Sequence, residues 1–312
     1  MTTLHKIGER EAIRRLARWV PTRDDVKVGI GDDMAVIHQE GSAYDLLLTS
    51  DPVIEGTHFL RTAKAGQIGH KAIGRCLSDM AAMGGEPLWA VIDVVAPASM
   101  SVARIEDVYR GASKLAGKYG MAIVGGDMAR GPALELHVFA VAQVPKNSAV
   151  LRSGAKAGDW IYVTGALGGS IAGKHLTFDP RLEEGLWLRE VGFANAMIDV
   201  SDGLASDLRQ ILERSGTGAV LYADRIPVSP AAKKKRGKKS PLDHALGDGE
   251  DFELLFTVSR DRQAVFESSW KENFSLPCAC IGEIVSRRRG MTLVGSDGRR
   301  IDWKGSGYEH FV

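Results

Sequence analysis

Apolar residues along the first half of the chain recur at spacings that predict alternating strands and helices. Residues 7–19 have the spacing of an amphipathic helix, and another helix is predicted over residues 102–118. Between them, one buried helix face is marked by Ile68, Ala72, Ile73, Cys76, Leu77 and Met80. Strands are predicted at VKVGIGDD, YDLLLTSD, LWAVIDVV, MAIVGGD and LELHVFAVAQV. The resulting order ββαβαββ indicates an α+β sheet layered with helices.

The pattern changes after residue 147, where we predict a domain boundary. Short apolar segments then alternate with helical patterns, and they read WIYVTG, AMIDVS, GAVLYA, FELLFTV, CACIGEIV and MTLVG. A chain of 312 residues also exceeds the ~250 to 300 residues at which one hydrophobic core stops growing. We therefore predict two domains, residues 1–147 and residues 148–312, the second being an α/β domain with a mixed sheet.

Composition narrows the classes of partner. The 40 Lys and Arg residues against 39 Asp and Glu leave a net charge of +1, which favours neither nucleic acid nor a membrane surface. No run approaches the ~18 apolar residues of a membrane span, and the N-terminus lacks an apolar export segment, so we expect a cytoplasmic protein. The three cysteines, Cys76, Cys278 and Cys280, form no zinc pattern and are expected to serve packing.

One basic segment, residues 229–241, interrupts the globular pattern with the sequence SPAAKKKRGKKSP. Such a run can contact phosphate or nucleic acid, or it can be a solvated, mobile loop whose like charges repel. No aromatic residue is interleaved with the lysines, so the loop is favoured.

Aspartates are the most informative polar residues, because most of them follow apolar strands. The predicted strand ends carry Asp32, Asp33, Asp51, Asp127, Asp199 and Asp202, whereas Asp79 lies on a helix. Side chains at such ends project from a sheet edge, where ligands collect. A crowded set of carboxylates requires a divalent cation or protonation, and oxygen ligands without a His or Cys cluster favour Mg²⁺, which usually accompanies phosphates. The alternative is that these acids cap helices and fill turns.

Glycines beside these acids allow the backbone to approach anionic oxygens. The segment Ser201-Asp202-Gly203 is predicted to open a helix whose N-terminus favours phosphate, although Asp202 can instead be an N-cap. A rival phosphate loop at Gly168–Lys174 has His175 where Ser or Thr should follow, so we favour a packing role for its glycines. No nucleophile triad is found, and His58 is kept either as a site residue or as a half-buried structural histidine.

Seven segments in order resemble the thiamine-monophosphate kinase family: GIGDD, TSDPVIEGTHF, KAIGRCLSDMAAMGGEP, VGGDMARGP, LRSGAKAGDWIYVTG, IDVSDGLASDL and GEDFELLFT. The similarity runs from about residue 5 to the closing GYEHF. It places the chain in a superfamily with aminoimidazole ribonucleotide synthetase and selenophosphate synthetase. The resemblance implies ATP-dependent phosphorylation of thiamine phosphate to thiamine diphosphate, by direct in-line transfer with several Mg²⁺ ions. It also implies a homodimer whose N-terminal sheets form a barrel, with an active site in the cleft between the two domains.

The resemblance also implies roles for individual residues. Metal ions are expected at Asp33, Thr49, Ser50, Asp51, Asp79, Asp127, Asp199 and Asp202, of which Asp51, Asp127 and Asp202 are expected to be catalytic. ATP is expected to meet Tyr109, Gly126, Asp127, Arg152 and Ser201. Thiamine phosphate is expected to contact His58, Glu250 and Tyr308, with Trp303 as the rival of Tyr308 for stacking.

Some positions depart from the family pattern. Met128 and Ala129 stand where two threonines are usual, Gly169 replaces an acid, Asp248 replaces a glycine, and Pro52 follows a proposed metal ligand. These changes leave two alternatives open: another ATP-dependent synthetase or dehydratase of the superfamily, and a nucleotide-binding homologue without activity. The lack of a catalytic Cys or Lys near the N-terminus weighs against the selenophosphate branch, and GEDFELLFT weighs for the kinase.

Overall fold

The computed structural model describes residues 2–301, which contain two β-sheets and eight α-helices. The helices are α1 (Leu4–Leu16), α2 (Ala65–Met83), α3 (Val102–Lys118), α4 (Leu182–Val191), α5 (Leu204–Ser215), α6 (Pro230–Lys234), α7 (Pro241–Gly247) and α8 (Gln263–Asn273). None of the helices within residues 2–301 has the length and apolar character needed to cross a bilayer.

The first sheet contains β1 (Val26–Val28), β2 (Ala35–His38), β3 (Tyr44–Ile54), β4 (Glu86–Ala96), β5 (Ala122–Gly125), β6 (Met128–Arg130) and β7 (Glu135–Pro145). Its order is β1-β2-β3-β7-β4-β5, and β6 also pairs with β4. The pairs β4–β5 and β4–β6 are parallel, and the other pairs are antiparallel. Alternate residues such as Leu47 and Val138 point to the buried face, which α2 covers.

The second sheet contains β8 (Trp160–Thr164), β9 (Ala194–Asp199), β10 (Thr217–Tyr222), β11 (Leu254–Val258), β12 (Cys278–Ser286), β13 (Met291–Val294) and β14 (Arg300–Ile301). Its order is β14-β13-β10-β12-β8-β11-β9, and only β10–β13 is parallel. All five residues of β11 are buried, because this strand lies between β8 and β9 in the sheet. The sheet therefore has a mixed arrangement, as the sequence predicts.

Helix α2 connects the two halves of the molecule, because it packs on α3 and β3 of the first half and on α4 and β9 of the second. Two glycines make this possible. A Cβ atom at Gly69 would lie 1.9 Å from the carbonyl oxygen of Val108, and one at Gly185 would lie 2.0 Å from that of Ala81. The backbones of three helices therefore approach more closely than side chains would permit. One helix thus contributes residues to a site shared by both halves.

Most predicted elements are confirmed. Helix α3 has the predicted bounds, and all six apolar residues used to predict α2 are buried. Helix α1 begins and ends three residues earlier than predicted, with a break at Gly8, where φ is 71°. Strands β2 and β6 were not predicted, because runs of four and three residues are too short for a periodic signal. The boundary near residue 148 falls between the two sheets and stays a prediction.

Candidate active site

Three aspartates converge at the junction of the two halves. Asp33 lies in the loop between β1 and β2, Asp79 on α2, and Asp199 at the last residue of β9. One carboxylate oxygen from each lies within 4.8 Å of the others. The sequence predicted all three as metal ligands, and the structure brings them together.

Burial of these acids disfavours their charged forms. Burial and the neighbouring charge of Asp33 raise the pKa of Asp199 to about 7, while the hydrogen bond from Ser78 opposes the rise. Burial and the charges of Asp51 and Asp199 raise the pKa of Asp79 well above its usual value. Such a cluster is tolerated either by protonation or by a divalent cation.

The ligand atoms that this cluster offers are carboxylate oxygens, which suit Mg²⁺ better than zinc or copper. Thr49 Oγ1 donates to Asp79 at 2.5 Å, and Ser78 Oγ donates to Asp199 at 2.6 Å. Arg152 donates from Nη2 and Nε to Asp33, at 2.7 and 3.2 Å. The donor set and its hydrogen-bonded support therefore match a magnesium site.

A polar stripe runs along the buried helix α2, and we call Lys71, Arg75 and Asp79 the α2 stripe. Successive members are four residues apart and therefore lie about 6 Å apart on one helix face. Arg75 Nη2 donates to Asp51 Oδ1 at 2.8 Å, and Lys71 Nζ contacts both oxygens of Glu250 at 2.6 and 2.8 Å. The stripe thus leads from a carboxylate of the second half to the aspartate cluster.

The loop that carries Glu250 has an unusual backbone. Glu250 has φ 55° and Phe252 has φ 50°, a left-handed region that non-glycine residues seldom adopt. Hydrogen bonds from Glu250 N to Ser201 O and from Phe252 N to Val200 O hold the loop, and the ring of Phe252 stacks on Phe178 at 3.9 Å between centroids. This strained but well-anchored conformation directs Glu250 toward the α2 stripe.

Ionisation of Glu250 and Lys71 follows from this packing. Burial alone would raise the pKa of Glu250, but the hydrogen bond from His175 and the charge of Lys71 lower it to about 2. Burial lowers the pKa of Lys71 to about 8, against the opposing charge of Glu250. Glu250 therefore remains an anion at neutral pH.

A cavity of about 310 Å³ opens beside Lys71 and Glu250. Its lining includes Thr57, His58, Leu60, Ile171, His175 and Leu176, drawn from both halves. Lys71 Nζ donates to the carbonyl oxygen of His58 at 2.6 Å and lies 3.0 Å from His175 Nδ1. His58 is buried, and its Nδ1 accepts a hydrogen bond from Ile54 N at 3.0 Å. The structure therefore brings His58 and Glu250, both expected to contact thiamine phosphate, to one end of the α2 stripe.

A second, more open cavity of about 620 Å³ lies on the first half. Its lining includes Tyr109, Gly126, Asp127 and Met128. Only glycine fits at position 126, where φ is 147° and a Cβ atom would lie 2.0 Å from Ile92 O. The structure thus brings together three residues predicted for ATP. Asp127, also predicted as a metal ligand, is not one of the three aspartates that converge at the junction.

Other predicted site residues lie elsewhere. The side chain of Ser50 lies on the exposed face of β3, opposite Phe139, and not on the face of Thr49 and Asp51. The prediction that Asp51 ends a strand is wrong, because β3 continues to Ile54. Tyr308 and Trp303 lie outside the described residues.

The start of helix α5 differs from the prediction. Gly203 occupies the N-cap position, so the alternative of Asp202 as N-cap is wrong. The carboxylate of Asp207 accepts hydrogen bonds from the N–H groups of Asp202 and Gly203, both at 3.1 Å. The carbonyl oxygen of Ser201, at the start of this turn, accepts a hydrogen bond from Glu250 N at 2.7 Å. Asp207 thus occupies N–H groups that were expected to face phosphate.

The segment Gly168–Lys174, considered above as a rival phosphate loop, does not have the structure of one. Two short 3-10 helices, Ser170–Ala172 and Lys174–Leu176, follow β8 in place of an α-helix. Lys174 pairs with the buried Glu253 at 2.7 Å. A Cβ atom at Gly168 would lie 2.6 Å from the backbone of α7, which confirms a packing role for the glycine.

The basic segment 229–241 contains α6 (Pro230–Lys234), so the prediction of a loop is wrong for its first part and holds for residues 235–240. The segment is exposed except at Ser229 and Ala232. Its Lys235 and Lys239 lie 3.1 and 3.4 Å from Asp248, which also contacts His244 at 2.9 Å. Asp248 further accepts from Gly169 N at 3.3 Å. The two departures from the family pattern at 169 and 248 are therefore in contact, and the acid at 248 balances the adjacent lysines.

Sequence reasoning missed several residues of this site. Lys71 and Arg75 were not predicted, because α2 was identified only from its apolar positions. Charges at i, i+4 and i+8 of an apolar helix, here Lys71, Arg75 and Asp79, are nevertheless a detectable signal. His175 was considered only as a defect in a phosphate loop. Asp32 was noted, but its contact with the backbone N–H of Arg152, at 3.2 Å, was not foreseen.

Comparisons with known proteins agree with this geometry. Residues 31–144 match the family model of the AIR synthase related protein N-terminal domain, and residues 156–294 match that of the C-terminal domain. The thiamine-monophosphate kinase of Escherichia coli K12 is 35% identical over 317 residues, covering 93% of this chain and 94% of that protein. That of Rhodopirellula baltica is 38% identical over 274 residues, covering 84% of each.

Solved structures show the same relationship. The structure described as "AaThiL complexed with AMPPCP and TMP" superposes with a TM-score of 0.85 at 29% identity, covering 100% of this chain and 99% of that chain. The thiamine-monophosphate kinase from Stenotrophomonas maltophilia K279a superposes with a TM-score of 0.76 at 34% identity, covering 93% and 96%. The chain therefore belongs to the thiamine-monophosphate kinase family, with both AIR synthase related domains.

Proposed function

We propose that the protein transfers the γ-phosphoryl group of ATP to thiamine monophosphate and produces thiamine diphosphate. The observation that carries this proposal is the α2 stripe, because it joins a half-open cavity, with the ionised Glu250 beside it, to a cluster of carboxylates. Phosphoryl transfer needs this combination of positioning and charge neutralisation more than it needs a covalent nucleophile. Kinship with thiamine-monophosphate kinases, one of them solved with AMPPCP and TMP, supports it.

Thiamine monophosphate fits the cavity of about 310 Å³ by its chemistry. Its thiazolium ring is cationic, and Glu250 supplies a negative charge beside the cavity at neutral pH. Leu60 and Leu176 supply apolar surface, and His58 and His175 lie at the end near Lys71. The acceptor phosphate would then lie toward Arg75 and Asp51. Tyr308 remains the proposed stacking residue.

Mg²⁺ ions would be held by Asp33, Asp79 and Asp199, with Thr49, Asp51, Asp127 and Asp202 proposed as further contributors. The side chain of Ser50 faces away from this cluster and is not proposed as a ligand. When bound, these ions would neutralise the phosphate charges that develop during transfer. Arg152, now bound to Asp33, can offer a bidentate fork to a phosphate. In this proposal Asp51, Asp127 and Asp202 are the catalytic carboxylates.

ATP is proposed to bind in the open cavity on the first half. Tyr109 offers a ring beside it, and Gly126 lets the backbone approach the nucleotide closely. Ser201 lies at the turn before α5, next to the aspartate cluster. Asp127 would link the nucleotide to the metal ions from this side.

A homodimer through the first sheet is part of the proposal. The face of this sheet opposite α2 exposes Trp89, Phe139 and Val124. Phe139 pairs in register with Val91, and Trp89 pairs with Val141, so the apolar residues adjoin across β4 and β7. A contiguous apolar sheet face of this kind is typical of an interface. The two-domain boundary near residue 148 and the cytoplasmic location stay predictions.

Product analysis tests the proposed function. Purified protein is incubated with ATP, Mg²⁺ and thiamine monophosphate, and the products are separated by chromatography. We expect thiamine diphosphate and ADP in equal amounts, with neither formed when Mg²⁺ is chelated. ADP formed without thiamine diphosphate would indicate another ATP-dependent reaction. Absence of both products would support a nucleotide-binding protein without activity.

A further inference from the structure

Arg75 is the central member of the α2 stripe. It lies one helical turn from Lys71, at the substrate-cavity end, and one turn from Asp79, in the aspartate cluster. A group that moves from the metal-bound nucleotide to an acceptor in the cavity would have to pass this position. The location alone makes Arg75 a candidate for contact with phosphate.

Its hydrogen bonding leaves donors available. Nη2 donates to Asp51 at 2.8 Å, whereas Nη1 is 3.7 Å from Glu250, too far for a hydrogen bond. The buried Nε has no acceptor among the described residues. An unsatisfied buried donor is costly, so the guanidinium is not fully satisfied by the protein. Nη1, which is too far from Glu250 for a hydrogen bond, is the donor that a ligand oxygen would meet.

The neighbouring cations, Lys71 and Arg152, are less available than Arg75 to contact a phosphate. Lys71 is fully buried, and its three N–H groups already face Glu250, His58 O and His175. Arg152 contacts Asp33 and Gln210, and its proposed ligand is ATP and not the acceptor. Arg75 is 16% exposed, and the side chains of Asp51 and Glu250 beside it are 17% and 20% exposed, so a ligand can reach it.

We propose that Arg75 binds the phosphate of the acceptor and makes the site select a phosphomonoester over a free alcohol. This inference rests on the proposed function and adds the residue that recognises the acceptor's phosphate. A guanidinium suits this role because its planar fork matches phosphate oxygens and remains charged at any physiological pH. Asp51 orients the fork from one side.

Calorimetry without ATP and with the metal chelated tests the inference, using thiamine monophosphate and thiamine as the two probes. The wild-type protein is expected to bind thiamine monophosphate about tenfold or more tightly than thiamine, as a charge-assisted contact to phosphate implies. Arg75→Gln is expected to lose this preference while its affinity for thiamine stays unchanged. Arg75→Lys should retain part of the preference, since a lysine keeps the charge and loses the fork.

The control is Arg260→Gln, which removes an exposed arginine paired with Glu283 on the second sheet and should change neither affinity. If Arg75→Gln loses affinity equally for thiamine monophosphate and thiamine, Arg75 only supports the cavity. If its preference for thiamine monophosphate is unchanged, other groups bind the phosphate. Both results overturn the inference. If Arg75→Gln does not fold, Arg75→Lys is compared with the wild-type protein, and an undiminished preference in Arg75→Lys overturns the inference. No preference for thiamine monophosphate in the chelated wild-type protein assigns the phosphate to metal alone and also overturns it. Wild-type protein that binds neither probe overturns the proposed function as well.

Discussion

Ser78 Oγ donates a 2.6 Å hydrogen bond to Asp199 Oδ2, and this bond joins α2 of the first half to the end of β9 in the second. Both residues are buried, so the bond is shielded from water. The carboxylate that it supports is one of the three that converge at 4.8 Å or less. The candidate metal site therefore exists only while the two halves are packed together.

Removal of this hydrogen bond should weaken Mg²⁺ binding in a pH-dependent way. The bond lowers the pKa of Asp199, so Ser78→Ala should raise that pKa further above about 7. Because the metal needs the ionised carboxylate, we expect an affinity loss of about tenfold near pH 7 and a smaller loss near pH 8.5. Calorimetric titration with Mg²⁺ at both pH values measures it, with the exposed Ser268→Ala as the control. If Ser78→Ala loses the same Mg²⁺ affinity at both pH values, the raised pKa of Asp199 is not the cause of the loss.

Stability of the metal-free protein should fall as pH rises. The pKa of Asp199 is about 7 in the folded protein against 3.8 as its ordinary value, so between these values the folded state binds more protons than the unfolded state. The free energy of unfolding then decreases with pH over this window, by up to about 1.4 kcal/mol per pH unit for one group. Asp79, whose pKa is also raised, acts in the same direction.

Urea unfolding in the presence of a chelator measures this pH dependence. Asp199→Asn carries no titrating carboxylate, so its stability should vary less across the same window and exceed that of the wild-type protein near pH 8. Saturating Mg²⁺ should restore the stability of the wild-type protein at the higher pH and leave the stability of Asp199→Asn nearly unchanged. Parallel curves for the two proteins would contradict the assigned role of Asp199.

Glu250→Gln should weaken thiamine monophosphate binding and leave ATP binding nearly unchanged. The substitution keeps the size of the side chain and removes the charge proposed to face the thiazolium ring. It also leaves Lys71 buried beside a neutral group, which costs about 3 to 5 kcal/mol of stability when one partner of a buried pair is lost. Lys71→Met combined with Glu250→Gln removes both charges and should recover part of that stability. If the double variant also recovers affinity for thiamine monophosphate, Glu250 serves only to neutralise Lys71.

Trp89→Glu should convert the proposed dimer to a monomer. The substitution places a charge within the exposed apolar face of the first sheet, where burial against a second copy would be unfavourable. Light scattering at micromolar protein measures the mass. Trp19→Glu, at a position 86% exposed near the end of α1, is the control and should leave the mass unchanged. A wild-type monomer, or a Trp89→Glu dimer, would contradict this interface.

The fold could be predicted largely from the sequence because its longer elements have strong periodic patterns. The apolar face of α2 and the bounds of α3 follow from residue spacing, and the six predicted strands of the second sheet are all present. Strands β2 and β6 could not be predicted in this way, since their formation depends on pairing with long neighbours. Tertiary pairing decides such short segments, and the sequence carries little local signal for them.

The site was predicted in part. Asp33, Asp79 and Asp199 were identified from strand ends and motif resemblance, and the structure brings them together. The sequence shows the cations of the α2 stripe as charges spaced four residues apart on an apolar helix, but their role becomes evident only when Glu250 and Asp51 face them. Those partners lie 179 and 24 residues away along the chain.

A single-turnover reaction with ATP labelled at its γ-phosphate tests the central claim most directly. The protein, in excess over labelled ATP, is mixed with Mg²⁺ and thiamine monophosphate, and the label is followed among the products. Direct transfer across the α2 stripe predicts that all transferred label appears in thiamine diphosphate, none remains on the protein, and Asp51→Asn slows the step by orders of magnitude. Label found as free phosphate or attached to the protein, or an Asp51→Asn variant with the rate of the wild-type protein, would contradict the account.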